Sequence, residues 1–234
     1  MCTTSNHHTK SLSSLQTVLL SAFSIYLRFW HRWRIVGACR IPATGPAIIV
    51  ANHTGDLDPP ILLIASPSRL IRFVAARRLF KRPFIGGLIQ WSCKLDGAIP
   101  VDLSVKSLAS LLPAIRALQE GDLVGIFPEG PPDLDCALKF PKKGAAVLAL
   151  LSGAPVIPVY IRGTPPHRST IGDFLRRGNV QVHFGEPLLF SRQSGKLNRD
   201  YVRTVSEQIM NAIVDIGSRV ENQSVADGVL VKCE

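Results

Sequence analysis

Acidic residues are scarce in this 234-residue chain: 17 Asp and Glu stand against 27 Lys and Arg, a formal net charge of +10. The imbalance favours a polyanionic partner: nucleic acid, an anionic membrane surface or a phosphorylated ligand. A paired Cys/His zinc pattern and a Gly/aromatic RNA-binding run are both lacking, so nucleic acid is not the expected partner. Cysteine is sparse and scattered (Cys2, Cys39, Cys93, Cys136 and Cys233) with no C-x-x-C. An odd, widely spaced set argues against a disulfide framework or a zinc site and fits free thiols in a reducing compartment. There is no G-x-S-x-G nucleophile elbow, no cysteine beside an obvious base and no P-loop. No repeat of solenoid period is present. With charged residues at only 19% and hydrophobic ones at 46%, the chain is not of disordered composition.

A long uninterrupted apolar run is also missing. Residues 12–30 are the best candidate, but Ser, Thr and Gln interrupt them and the weakly polar stretch ends at Arg28. A bilayer span needs about 20 apolar residues. Aromatic residues and arginines gather at the end of this stretch, as at a membrane interface, and a helix lying on the membrane is expected. The other reading is a helix packed on the domain. A signal peptide is not expected, because the charge follows the apolar run.

What is there reads as alternating strands and helices. Residues 47–51 form a short buried strand, followed by Asn52-His53-Thr54-Gly55-Asp56-Leu57-Asp58 and a helix from Pro59, with Asp58 as its N-cap. Further strands are expected at 70–75, 97–101, 122–127, 155–161 and around 180–184. Helices are expected at 83–92, from Ser104 to Gly121, at 142–152 and from Tyr201 to Val220. The pattern predicts an α/β fold with a central, largely parallel sheet flanked by helices. Three parts follow: a membrane-associating segment (1–36), a catalytic domain (37–220) and a C-terminal tail (221–234). In such sheets ligands bind beyond the carboxyl ends of strands. Two strand ends carry loaded loops, 52–58 and 128–130.

His53 leaves a buried strand and enters a loop with two carboxylates, Asp56 and Asp58. An imidazole is the usual base for a hydroxyl, and a carboxylate can fix its tautomer. The alternatives are a structural histidine and an Asp58 that only caps a helix. For Pro128-Glu129-Gly130 the alternative is a plain turn after a strand.

Asn52-His53, four residues and then Asp58 resembles the NH-x4-D signature of the PlsC-like glycerolipid acyltransferases, the family of the 1-acylglycerol-3-phosphate acyltransferases. Phe127-Pro128-Glu129-Gly130 is similar to that family's FPEG block. Phe140-Pro141-Lys142-Lys143-Gly144-Ala145-Ala146 resembles its basic stretch, and Val156-Ile157-Pro158-Val159 its last, proline-bearing strand. Gly97-Ala98-Ile99-Pro100-Val101 stands where its second block falls. The resemblance implies acyl transfer from acyl-CoA or acyl carrier protein to a lysolipid hydroxyl in phospholipid biosynthesis. His53 would act as base, Asp58 would orient it, and there would be no acyl-enzyme, metal or cofactor. Asn52, Phe127, Pro128, Glu129, Gly130, Lys142 and Lys143 would face the substrates, with Glu129 on an acceptor hydroxyl. It also implies membrane lipids as partners and a place on the cytoplasmic face of the membrane.

Two departures bear on the acceptor. The second block continues Asp102-Leu103-Ser104 and FPEG continues Pro131-Pro132-Asp133. The family's arginines at those points, implied to grip the acceptor phosphate, are absent. Lys106, Lys139, Lys142 and Lys143 are the replacements at hand, without the bidentate fork of arginine. A lysolipid lacking the phosphate, or a member that binds lipid without catalysis, are the alternatives. A more distant one is a Mg-dependent phosphohydrolase on Asp56 and Asp58.

Overall fold

The structure is a computed structural model that describes residues 14–30, 32–55, 57–66, 69–77, 97–102, 108–129, 142–164 and 177–226. The elements in chain order are α1 (Ser14–Trp30), β1 (Arg34–Val36), β2 (Ala47–Ala51), α2 (Asp58–Ala65), β3 (Ile71–Ala76), β4 (Ile99–Val101), α3 (Leu112–Gln119), β5 (Leu123–Ile126), α4 (Gly144–Ser152), β6 (Val156–Arg162), β7 (Gln181–Phe184) and α5 (Arg199–Ala226). A 3₁₀ turn, Leu108–Leu111, leads into α3. The expected helix at 83–92 and the Ser104 cap lie outside the described residues.

Seven strands form one sheet in the order β1-β7-β6-β2-β5-β3-β4. Every pairing is parallel except that of β6 with β7, so β7 and β1 run against the other five. All five residues of β2 are buried, as are the four of β5. A strand covered on both faces must be apolar throughout, and Ala47-Ile48-Ile49-Val50-Ala51 is. On one face Ile48, Val50, Val124, Ile126 and Val156 pack with α3, α4 and α5. On the other Ala47, Ile49, Ala51, Ile157, Val159 and Ile161 pack with α2 and Phe73. Fully burying each large aliphatic side chain stabilises by roughly 1.5–3 kcal/mol, so this double core holds the sheet rigid under the loops at its end.

Helix ends follow the local chemistry. Gly121 takes a left-handed φ of 87°, its N–H donates to Leu118 O (3.0 Å), and Asp122 N–H donates to Ala117 O (3.0 Å). This is the paired bonding that ends a helix at a glycine. It turns the chain from α3 into β5. The basic cluster beginning at Arg69 is partly structural. Arg69 donates to the carbonyls of Pro42 (3.0 Å) and Gly45 (2.6 Å), and Arg72 pairs with Asp122 at 2.6 Å.

Three sequence expectations change. β1 was not expected. Asp58 is the first residue of α2 rather than its N-cap, which is Leu57. The last helix runs on to Ala226, past the expected boundary at 220. No helix among the described residues is long and apolar enough to cross a membrane. Cys39 is exposed and free; the other four cysteines lie outside the described residues.

Candidate active site at the carboxyl end of β2

β2 stops at Ala51, and the side chain of Asn52 takes over its bonding. The Asn52 amide donates to Ile161 O (2.8 Å) and accepts from Ile161 N–H (2.7 Å). With both polar ends used and only 4% exposure, this amide ties the end of β2 to the end of β6. Asn52, expected to face a substrate, has its amide committed to Ile161 at the head of the turn that follows.

That turn carries His53 to Asp58. The Asp58 side chain is 0% exposed, and a buried carboxylate must be fully hydrogen-bonded. Its Oδ2 accepts Thr54 N–H at 2.6 Å and Gly55 N–H at 2.9 Å, and lies 2.9 Å from His53 Nδ1. The Thr54 hydroxyl straddles both carboxylate oxygens at 3.3 and 3.4 Å. Placement in the first turn of α2 adds the favourable end of the helix dipole. An ionised carboxylate can only accept, so in the neutral ring Nδ1 carries the proton and Nε2 keeps a lone pair.

The ring of His53 is fixed on a second side. It stacks on Phe127 with centroids 4.1 Å apart and planes 20° apart, and Phe127 stacks in turn on Phe73 at 5.6 Å. Phe127 follows β5, the neighbour of β2, so sheet order brings the two rings together. Gly125 makes room: a Cβ there would lie 2.5 Å from the Phe73 ring. Pro128 is buried and Glu129 half-buried beside this stack. Lys142 N–H donates to Pro128 O at 2.8 Å, closing the base of the loop that joins β5 to α4. The side chains of Lys142 and Lys143 are exposed at the start of α4. Gly130 and Asp56 lie outside the described residues. So do Lys106 and Lys139.

Sequence reasoning missed Thr54, Phe73, Gly163 and Thr164. Thr164, at 8% exposure, hydrogen-bonds the Thr54 hydroxyl through its own. The one sequence signal for it is a Gly-Thr pair just after a strand.

A histidine held in one tautomer by a buried carboxylate, with Nε2 left as acceptor, is a general-base arrangement. The Acyltransferase family model matches residues 32–162, more than half of the chain and the whole stretch from β1 through β6. The chain therefore belongs to the Acyltransferase family and is an O-acyltransferase of the PlsC-like kind. It is 26% identical over 182 residues to the 1-acyl-sn-glycerol-3-phosphate acyltransferase of Bacillus subtilis, covering 77% of this chain and 86% of that one. It is 30% identical over 174 residues to a chloroplastic 1-acyl-sn-glycerol-3-phosphate acyltransferase of Arabidopsis thaliana, covering 73% of this chain and 47% of that one. The chain thus spans about half the length of the plant relative. The crystal structure of the 1-acyl-sn-glycerophosphate acyltransferase PlsC from Thermotoga maritima shares the fold: TM-score 0.63, 23% identity, 90% of this chain and 84% of that one.

Proposed function

We propose that this enzyme moves a fatty acyl group from acyl-CoA or acyl carrier protein to the free hydroxyl of a lysophosphatidate-type acceptor, with His53 as base and Asp58 as its orienting partner. The observation that carries this is the 2.9 Å contact between His53 Nδ1 and Asp58 Oδ2, with the carboxylate held by two backbone N–H groups. The acceptor hydroxyl gives its proton to Nε2 as its oxygen attacks the thioester carbonyl. Buried Asp58 stabilises the imidazolium that forms. The tetrahedral intermediate collapses, the C–S bond breaks, and the leaving thiolate takes the proton back from Nε2. Proton and charge return to their starting places, so a metal or cofactor is not required.

Glu129, half-buried and two residues after Phe127, would accept from an acceptor hydroxyl. The phosphate would meet Lys142 and Lys143, exposed at the start of α4 where the helix dipole also favours an anion. This assignment replaces the two missing arginines and accords with the names of the relatives. The phosphohydrolase alternative is weaker: Asp58 Oδ2 is already taken by three donors, which leaves it poorly placed to hold a cation.

The enzyme acts, on this reading, at a lipid surface on the cytoplasmic face. Val18, Ile25 and Phe29 of α1 are exposed apolar residues at helical spacing, and Phe29 is 75% exposed. Arg28, Arg32 and Arg34 are exposed at the end of that stripe, and Arg177 lies 5.5 Å from the Trp30 ring. An apolar stripe ending in cations suits an anionic lipid surface.

The test is acyl transfer from a long-chain acyl-CoA and from an acyl carrier protein thioester to 1-acylglycerol-3-phosphate, other lysolipids and glycerol phosphate, read by mass spectrometry. Product should appear with the phosphate-bearing lysolipid, and His53→Ala should lower kcat by roughly 10²–10⁴-fold. Equal turnover by the variant would remove His53 from the mechanism.

A further inference from the structure

β6 ends at Arg162, and the Gly163-Thr164 turn after it is shaped. Gly163 takes a φ of 75°, and a Cβ there would lie 2.0 Å from Asn179 O. Only glycine fits that close approach in that conformation. The turn sends Thr164 back toward the loop after β2, where its hydroxyl meets that of Thr54.

The direction of the hydrogen bonds follows from valence. Asp58 can only accept, so the single hydroxyl proton of Thr54 goes to the carboxylate. The Thr54 oxygen must then accept from Thr164, whose hydroxyl is the donor. The chain reads Thr164 O–H to Thr54, Thr54 O–H to Asp58, and His53 Nδ1–H to Asp58.

We infer that Thr164, aimed by Gly163, is a positioning residue of the active site, locking the rotamer of Thr54 and through it the carboxylate that orients His53. Without the Thr164 hydroxyl, the Thr54 oxygen loses its donor, and only the long 3.3 and 3.4 Å contacts hold its hydroxyl toward Asp58. The Asn52 amide already ties β2 to β6 at Ile161, so the backbone of the turn stays in place when Thr164 is changed. The consequence falls on the geometry of the dyad rather than on the fold. This inference rests on His53 being the base.

The experiment compares Thr164→Val, which keeps the shape without the hydroxyl, with Thr164→Ser, which keeps the hydroxyl without the methyl. His53→Ala runs alongside, with acyl-CoA and 1-acylglycerol-3-phosphate as substrates. Val should lower kcat by about tenfold or more with KM within about twofold, since small misplacements of catalytic groups cost that much. Ser should restore kcat to within about threefold, because the hydroxyl is the part that acts. In the Val variant the downfield proton resonance of His53 Nδ1–H should shift or vanish, while Ser retains it. Thr164→Ala is the second hydroxyl-free variant and must fall as Val does. In a Thr54→Val background, Thr164→Val should cost little more, since the two hydroxyls belong to one chain. A Val variant with wild-type kcat, or a Ser variant as impaired as Val, overturns the inference while the base assignment stands. An active His53→Ala overturns both.

Discussion

The carboxylate of Asp58 does two jobs at one atom, and its substitutions separate them. Oδ2 receives two backbone N–H groups and lies within hydrogen-bond distance of His53 Nδ1. Asp58→Asn keeps an oxygen for the backbone donors but loses the charge that supports an imidazolium. It also offers Nδ1 a group that donates as well as accepts. The expected outcome is a kcat loss of about 10²-fold or more with a thermal midpoint close to wild type. Asp58→Ala leaves those donors buried and unmet, at about 1–3 kcal/mol each, so urea unfolding should show a clear loss of stability as well. If Asn and Ala destabilise equally, the carboxylate is chiefly structural and the split of roles is wrong. The dyad itself is legible in the sequence because His53 and Asp58 are five residues apart on one turn. What the spacing could not decide was where the carboxylate points. Asp58 read as a helix N-cap, but at 0% exposure it meets its needs from the loop amides and the imidazole.

At the scale of elements, contacts between strands create what the chain order conceals. Thr54 and Thr164 are 110 residues apart and meet only because β6 lies beside β2. Phe73 and Phe127 meet because β3 lies beside β5, and Gly125 between them reads in sequence as an unremarked glycine in a strand. Gly125→Ala should therefore do more than crowd the core. The new methyl would press on the Phe73 ring, for which overpacking costs about 1–3 kcal/mol, and the push passes to Phe127 and His53. Activity measured well below the melting temperature should fall by more than the folded fraction does. A loss that tracks unfolding alone would show that the stack does not transmit. β7 gives a second element-scale prediction. Burial pushes the His183 imidazole below its ordinary value of 6.5, and the charges of Arg162 and Arg34 push the same way. The unfolded chain then binds this proton more readily than the folded one. Stability is unaffected above the ordinary value and falls as pH drops from there to the lowered pKa. His183→Gln should flatten denaturant midpoints across that window, and an unchanged slope would remove His183 as its source.

For the whole molecule, the alternation of strands and helices declared a parallel α/β sheet because the central strands β2 and β5 are apolar on both faces and helical periods lie between the strands. β7 was expected as a strand, but its reversed direction and its partner β1 did not show, since β1 is three residues long and leaves no periodicity to read. The end of α5 was hidden for a related reason. Val220 is its last buried residue among those described, and the exposed Glu221, Asn222 and Gln223 carry the helix on with no apolar side chain to mark it. Charge was the least specific signal. Part of the +10 is taken up within the fold, on carbonyls by Arg69 and on Asp122 by Arg72. The arginines around the end of α1 are a different set, exposed beside Ile25, Phe29 and Trp30. If this end meets lipid, the purified protein should co-sediment with phosphatidylglycerol-containing vesicles and much less with phosphatidylcholine alone. Raising the salt to about 1 M shortens the Debye length to about 3 Å and should weaken but not abolish binding, because the apolar stripe is not screened. Ile25→Glu with Phe29→Glu should remove the salt-resistant part and leave the turnover of a water-soluble short-chain lysolipid unchanged. Binding that survives the double substitution, or that vanishes entirely in salt, would mean that charge alone draws the enzyme to the surface and that the exposed face of α1 serves another contact.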